Sequence, residues 1–260
     1  MVRKLLISFV VASAVLGGVF VFRHSINDAL ALALRGPIPP AVSYAQVQAG
    51  RFAAAPPAPA NTNATRPTPK PALPDAVNLA VPFILQAPTQ NWDDIHEDAC
   101  EEASLSMINL FYKGAAGPLS KEEMEAAIFA AVAWENKNFG FNKDTSAEET
   151  AQVMRKLHGL NAKVVTVASI QDIKKTVAAG KPVIVPAYGK ALKNPNFRQG
   201  GPLYHMLVIK GYKGSKIITN DPGTRRGADY VYDGALLWDA IHDWNGGDVP
   251  QGAKVMIVVE

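Results

Sequence analysis

Asp98-Ala99-Cys100-Glu101-Glu102-Ala103-Ser104-Leu105-Ser106-Met107-Ile108-Asn109-Leu110-Phe111-Tyr112-Lys113-Gly114 is the stretch on which the fold turns. Asp98 with Glu101 three residues later makes a capping-box-like start. The apolar run Met107, Ile108, Leu110, Phe111 up to Gly114 then predicts a helix. Ser120-Lys121-Glu122-Glu123 opens a second helix. Ser146-Ala147-Glu148-Glu149 opens a third that ends at Gly159, and Ser169-Ile170-Gln171-Asp172 a fourth that ends at Gly180. Beyond these the chain changes character. Residues 164–167, 183–185, 204–212, 216–220 and 255–259 are β-branched and apolar and predict strands, the pair around Gly214 forming a hairpin. Residues 233–244 predict one more short helix. Helices first and strands later predict an α+β fold, not a doubly wound parallel sheet.

Upstream of this block the sequence is of a different kind. Arg3 and Lys4 precede eighteen uncharged residues, Leu5 to Phe22, closed by Arg23 and His24. At 1.5 Å per residue such a helix reaches about 27 Å, close to the hydrocarbon thickness of a bilayer. A cleaved signal has a shorter apolar core with a small-x-small site just after it. Here Ala29-Leu30-Ala31 and Ala31-Leu32-Ala33 stand late, so residues 1–35 predict an uncleaved single-pass signal-anchor, with secretion as the outcome if cleavage occurs. Arg3 and Lys4 predict the N-terminus inside and the rest extracytoplasmic. Residues 36–76 carry ten of the nineteen prolines, with Ala, Thr and Asn filling most of the rest. They predict an extended spacer between membrane and domain. The globular domain is predicted over 77–260, long enough for one sizeable core.

Composition narrows the function classes. The 260-residue chain has 26 Lys and Arg, 23 Asp and Glu, and one Cys. Seven of the basic residues and two of the acidic ones fall in 1–76, which leaves 77–260 at a net −2. There is no basic stripe, so nucleic acid is not an expected partner. One Cys excludes a disulfide framework and any multi-Cys metal site. No Gly-rich phosphate loop occurs, and neither metal nor cofactor is implied.

Cys100 is the candidate nucleophile. With Asp98 as N-cap it falls at the second helical position, where unpaired amides and the helix dipole favour a thiolate. Glu97, Asp98, Glu101 and Glu102 push the other way, and a free Cys is also among the most often buried residues. Of five histidines, His24 flanks the anchor and His96 lies in an acid-rich loop. His158 ends a helix, where the dipole accounts for it, and His242 has no special context. His205 opens the apolar strand His205-Met206-Leu207-Val208-Ile209, as a base held at a strand end or as a core residue. Hairpin pairing brings Asn220 or Asp221 of Asn220-Asp221-Pro222-Gly223 towards its ring, although the same residues read equally as a turn. Thiol, imidazole and an orienting carboxylate or amide are the parts of a nucleophilic triad. An oxyanion donor is also needed, and Gln86 and Gln90 both precede Cys100.

Val81-Pro82-Phe83-Ile84-Leu85-Gln86, Cys100-Glu101-Glu102-Ala103-Ser104, Tyr204-His205-Met206-Leu207-Val208 and Asn220-Asp221-Pro222 resemble, in that order, the papain-like cysteine peptidases. They most resemble the bacteriocin-processing double-glycine peptidase family, cysteine-peptidase family thirty-nine, and its stand-alone branch. The resemblance spans about 77–260. It implies Gln86 as oxyanion residue, Cys100 as nucleophile, His205 as general base and acid, and Asp221 as the orienter of His205. It also implies a helical half packed on an antiparallel sheet with the Cys helix at the junction. The transporter-linked members have Cys-Gly where this chain has Cys100-Glu101. The gap from Gln86 to Cys100 is longer than usual, so Asn91-Trp92-Asp93-Asp94 must loop out, and Gln90 stays a rival to Gln86. The expected function is a membrane-tethered cysteine peptidase acting on a peptide or protein. Two alternatives stay open: a silent peptide-binding module, and another acyl transfer such as cell-wall peptide hydrolysis or transglutamination.

Overall fold

Seven strands form one antiparallel sheet: β1 Ala76–Asn78, β2 Ala162–Thr166, β3 Val183–Tyr188, β4 Tyr204–Lys213, β5 Lys216–Asn220, β6 Tyr230–Asp233 and β7 Val255–Val259. The sheet order is β2-β7-β3-β4-β5-β6, with β1 added beside the far end of β4. The helices are α1 Tyr44–Gln48, α2 Cys100–Tyr112, α3 Lys121–Asn138, α4 Ala147–Leu157, α5 Ile170–Ala178 and α6 Gly234–Ala240. This computed structural model describes residues 37–50 and 73–260. Contacts divide the chain into Met1–Ile38 and Pro39–Glu260, and the account below concerns the second unit. The α+β expectation holds. The predicted anchor over 1–35 lies outside the described residues, and among the described residues no helix is long and apolar enough to cross a membrane.

The inner strands of the sheet are apolar on both faces, and the edge strands β2 and β6 are partly exposed. β3, β4 and β7 are buried along nearly their whole length, as expected for strands covered by helices. The β4–β5 hairpin turns at Gly214, with Lys213 opposite Lys216. Its register shifts between Ile209 and Gly211, a bulge at Lys210. Gly211 is required there: a Cβ would lie 2.3 Å from the Val77 carbonyl of β1.

α2 packs along β4 and against α3 and α4, so the Cys helix does stand between the helices and the sheet. Its body is buried on almost every side, including Phe111, Leu105 and Met107. Ser120 and Ser146 cap α3 and α4 with reciprocal capping boxes, as their sequences predict. The predicted Asp98 cap of α2 does not form. Ala99 is the N-cap, Cys100 is the first helical residue, and Asp98 instead pairs with Lys143 at 3.2 Å.

Two elements depart from the expected layout. The helix predicted over 233–244 ends at Ala240, because Ile241 turns extended and bridges to Ala187 of β3. Within the predicted spacer, residues 39–50 pack as part of the domain. Val42 bridges to Leu79, Asn78 Nδ2 donates to the Pro39 carbonyl, and the Tyr44 ring lies 5.4 Å from Phe111 and 5.1 Å from Tyr112 of α2. The Pro-free run 41–50 holds Val42, Tyr44 and Val47 behind a Ser43–Gln46 capping box, which is a helix signal inside a Pro-rich region. β1 correspondingly begins at Ala76.

Candidate active site

Three segments converge on a cleft of about 200 Å³ at the N-terminus of α2, and Gln86, Cys100 and His205 all line it. Cys100 enters it as the first residue of a helix, whose leading amides lack intrahelical partners. His205 enters from the start of β4. The next residue along, Met206, donates its backbone N–H to Cys100 Sγ at 3.3 Å. Across β3 its partner is Pro186, whose carbonyl accepts from the His242 N–H and not from Met206.

His205 Nε2 lies 2.9 Å from Asp221 Oδ1, and both side chains are buried. β5 carries Asp221 there: Asn220 pairs with Val208, and Asp221 follows at the strand end. The carboxylate is held on all sides. Gly223 N donates to Oδ1 at 3.1 Å; Tyr232 Oη and Asn194 Nδ2 donate to Oδ2 at 2.5 and 3.1 Å. Burial opposes ionisation of Asp221, but His205, Tyr232 and the Gly223 N–H outweigh it and hold the carboxyl below its ordinary value. Gly223 also has no room for a side chain, since a Cβ would lie 2.9 Å from Phe197 and 3.0 Å from the His205 ring. Of the two residues that hairpin pairing brings near His205, Asp221 makes the contact. Asn220 instead donates to the carbonyls of Val81 (3.0 Å) and Pro82 (3.2 Å), fixing the segment that leads to Gln86.

Gln86 is buried, and its backbone N–H donates to the Pro222 carbonyl at 3.1 Å. Its Nε2 donates to the carbonyls of His96 (2.9 Å) and Glu97 (3.2 Å), while Oε1 has no partner. The rival Gln90 is exposed and absent from the cleft lining; its amide oxygen faces Arg225 at 3.5 Å. Trp92 of the looped-out segment lies under the Arg198 guanidinium at 5.1 Å, also outside the cleft.

The sulfur does not rest on the imidazole. Cys100 Sγ donates to Glu101 Oε2 at 2.9 Å. Burial first, then the Glu101 carboxylate, push the thiol well above its ordinary value, and the Met206 N–H offsets only part of this. The expectation that helix position favours a thiolate is therefore overridden by burial first and by the acids beside it. Glu101 is itself raised by burial, against the thiol's hydrogen bond, with Glu135 and Asp144 adding to the rise. Behind it, Glu102 and Glu135 are sealed in the core with their carboxyl groups against each other, and burial raises both.

The other histidines separate cleanly. His96 is clamped between Asp93 (Nδ1, 2.7 Å) and Glu125 (Nε2, 2.8 Å), tying the looped-out segment to α3. His158 caps α4, but burial and then Lys113 depress it to about 4, so it carries no charge to complement the dipole. His242 Nδ1 faces the Gly252 carbonyl. Sequence reasoning missed Tyr232, Asn194 and the Glu101–thiol contact. The alternation Tyr230-Val231-Tyr232 was a strand signal that could have found the first; Asn194 carries no signal. Among the described residues, no group of three or more His, Cys, Asp or Glu could hold a metal ion.

No curated protein matches this chain. A candidate C39-like peptidase from Bacillus anthracis, known from a crystal structure, is similar at 19% identity and a TM-score of 0.45, over 71% of this chain and 97% of its own. A family model, the Peptidase_C39 like family, matches residues 78–245, which takes in Gln86, Cys100, His205 and Asp221. The chain belongs to the Peptidase_C39 like family.

Proposed function

We propose that this chain is a cysteine peptidase in which Cys100 is the nucleophile and His205 the general base and acid. The observation that carries this reading is that Cys100 and His205 line one cleft while His205 Nε2 is taken up by Asp221. With Nε2 on the carboxylate, Nδ1 is the ring nitrogen left for the sulfur. His205 removes the thiol proton as the sulfur attacks the peptide carbonyl. The oxyanion is held by the first amides of α2, the Cys100 N–H among them, and by Gln86. One N–H of the Gln86 amide serves that oxygen while the other stays on the His96 carbonyl. His205 then protonates the leaving amine, and water releases the acyl group. Asp221 fixes the ring and stabilises the imidazolium. Incubating the full-length chain with an unfolded protein substrate tests this. The wild type generates new amino termini, and neither Cys100→Ala nor His205→Ala does; cleavage by Cys100→Ala at the wild-type rate rejects it.

A second reading is a peptide-binding module without turnover. The Glu101 carboxylate on the thiol favours it, because a protonated sulfur is a poor nucleophile. Peptide affinity with no hydrolysis, unchanged in Cys100→Ala, would select it. Release of muropeptides, in place of general proteolysis, would narrow the substrate to cell-wall peptides.

We also propose that residues 1–35 anchor the chain in a membrane with the catalytic unit outside the cytoplasm. Support comes from the eighteen uncharged residues Leu5 to Phe22 behind Arg3 and Lys4. Retention in the membrane fraction after an alkaline wash is the expected result, and release into the supernatant would reject it.

A further inference from the structure

We propose that Glu101 is the resting proton partner of Cys100: the thiol is held neutral on the Glu101 carboxylate, and His205 takes its proton only as the sulfur attacks. The His205 clause rests on the peptidase reading; the Glu101 clause does not.

The geometry is direct. Sγ–H to Oε2 spans 2.9 Å between two side chains that are each at least 95% buried. The only other polar contact on the sulfur among the described residues is the Met206 N–H at 3.3 Å. Charged and titratable groups face the pair from every side. Glu102 comes from α2, Glu135 from α3 and Asp144 from the loop before α4; Tyr204 and His205 come from β4. None of the residues lining the cleft is Lys or Arg. Lys143, next to Asp144, is turned to Asp98. Glu101 is itself raised by burial, and once it is ionised a free thiolate would be a second negative charge in contact with the first, with no Lys or Arg lining the cleft to offset it. A buried like-charge pair of this kind resists full ionisation.

This orders the proton steps. The S–H bond breaks as an N–H bond forms on the imidazole and the sulfur bonds to the carbonyl carbon. The carbonyl electron pair moves onto oxygen, and Glu101 remains a carboxylate throughout. Negative charge develops on the carbonyl oxygen and positive charge on the imidazole, with no negative charge resting on sulfur beside Glu101. Acylation then removes the S–H donor, so Glu101 loses its partner in the acyl-enzyme and regains it on release.

The test is the rate of Cys100 alkylation by iodoacetamide against pH, in the full-length chain, where it is the only thiol. The midpoint is read, because the plateau rate also reports exposure. The wild-type midpoint is expected above the ordinary thiol value of about 8.5. Glu101→Gln is expected to lower it by at least about one unit, a tenfold gain in thiolate at neutral pH. His205→Ala is expected to leave it in place, because no thiolate–imidazolium pair exists at rest. A wild-type midpoint at or below about 8.5 overturns the proposal without any variant. So does a Glu101→Gln midpoint equal to the wild type, or a His205→Ala midpoint that rises. No arm uses a peptide. A chain that titrates as expected but hydrolyses nothing upholds the Glu101 clause and sinks the peptidase reading, and the reverse pattern does the opposite.

Discussion

His205 Nε2 stands 2.9 Å from Asp221 Oδ1, and the same carboxylate accepts from Gly223, Tyr232 and Asn194. A carboxylate with so many donors has little freedom to turn, so the ring it holds has little freedom either. Asp221→Ala is expected to lower kcat about 10²–10⁴-fold with KM nearly unchanged, since it acts on ring orientation and not on substrate. Tyr232→Phe removes one donor of four contacts and should cost far less. Steady-state kinetics on the two variants checks the ranking; equal losses would mean that Tyr232 has a role of its own.

Gln86 is the next residue to test. Its nitrogen bonds the His96 and Glu97 carbonyls, so Gln86→Ala loses an oxyanion donor and also strips two backbone acceptors of their partner. The expected kcat loss is about 10²–10³-fold. Thermal unfolding should show a stability loss on the order of 1–3 kcal/mol from the orphaned carbonyls. Gln90→Ala should do neither, since that side chain is exposed and outside the cleft.

His96 and Glu135 lower stability as pH rises, whereas His158, depressed by burial from 6.5 to about 4, acts the other way, because the unfolded chain binds a proton there that the fold does not. Burial opposes charge on His96, but Glu125 and Asp93 outweigh it and raise it above 6.5. Its contribution is complete below pH 6.5 and is lost as pH rises through the raised value. Glu135, lifted by burial from 4.5 to about 7, acts in the same direction, because the fold keeps a proton that the unfolded chain releases. The separate contributions are read by comparing the thermal midpoint of the wild type with that of variants between about pH 5 and about pH 8. Glu135→Gln should remove a downward contribution between about pH 5 and about pH 7, and Glu125→Gln one above pH 6.5. A pH profile of either variant that is parallel to the wild type would contradict that assignment.

Residues 39–50 belong to the domain, with Tyr44 against Phe111 and Tyr112 of the Cys helix. Tyr44→Ala should cost on the order of 2 kcal/mol. A chain starting at residue 77 should melt lower than one starting at 37, and equal melting curves would show that the contact contributes nothing.

How far the sequence could be read follows from the range of the interactions. Helix starts marked by Ser120 and Ser146 are local events, and their capping boxes formed as written. Cys100 and His205 stood out at a helix start and a strand start, one hairpin pointed to Asn220 or Asp221, and only the family resemblance singled out Asp221. The pairing that chose Asp221 over Asn220 for the ring is a tertiary choice, since Asn220 had carbonyls to hold at Val81 and Pro82. The failed Asp98 cap has the same origin, with Lys143 competing for the carboxylate. Four acids around Cys100 were visible from the start, yet only burial turned Glu101 from a surface charge into the sulfur's partner. Residues 41–50 were hidden by averaging over a Pro-rich region, although Ser43-Tyr44-Ala45-Gln46 carried the signal.

The most direct measurement is the intact mass of the full-length chain after mixing with a reactive acyl ester of a short peptide and quenching in acid. The account predicts an adduct of the acyl mass, mapped to Cys100, that builds up and decays in the wild type and never forms in Cys100→Ala. Hydrolysis of the ester with no Cys100-dependent adduct, or an adduct that forms equally in Cys100→Ala, would contradict it.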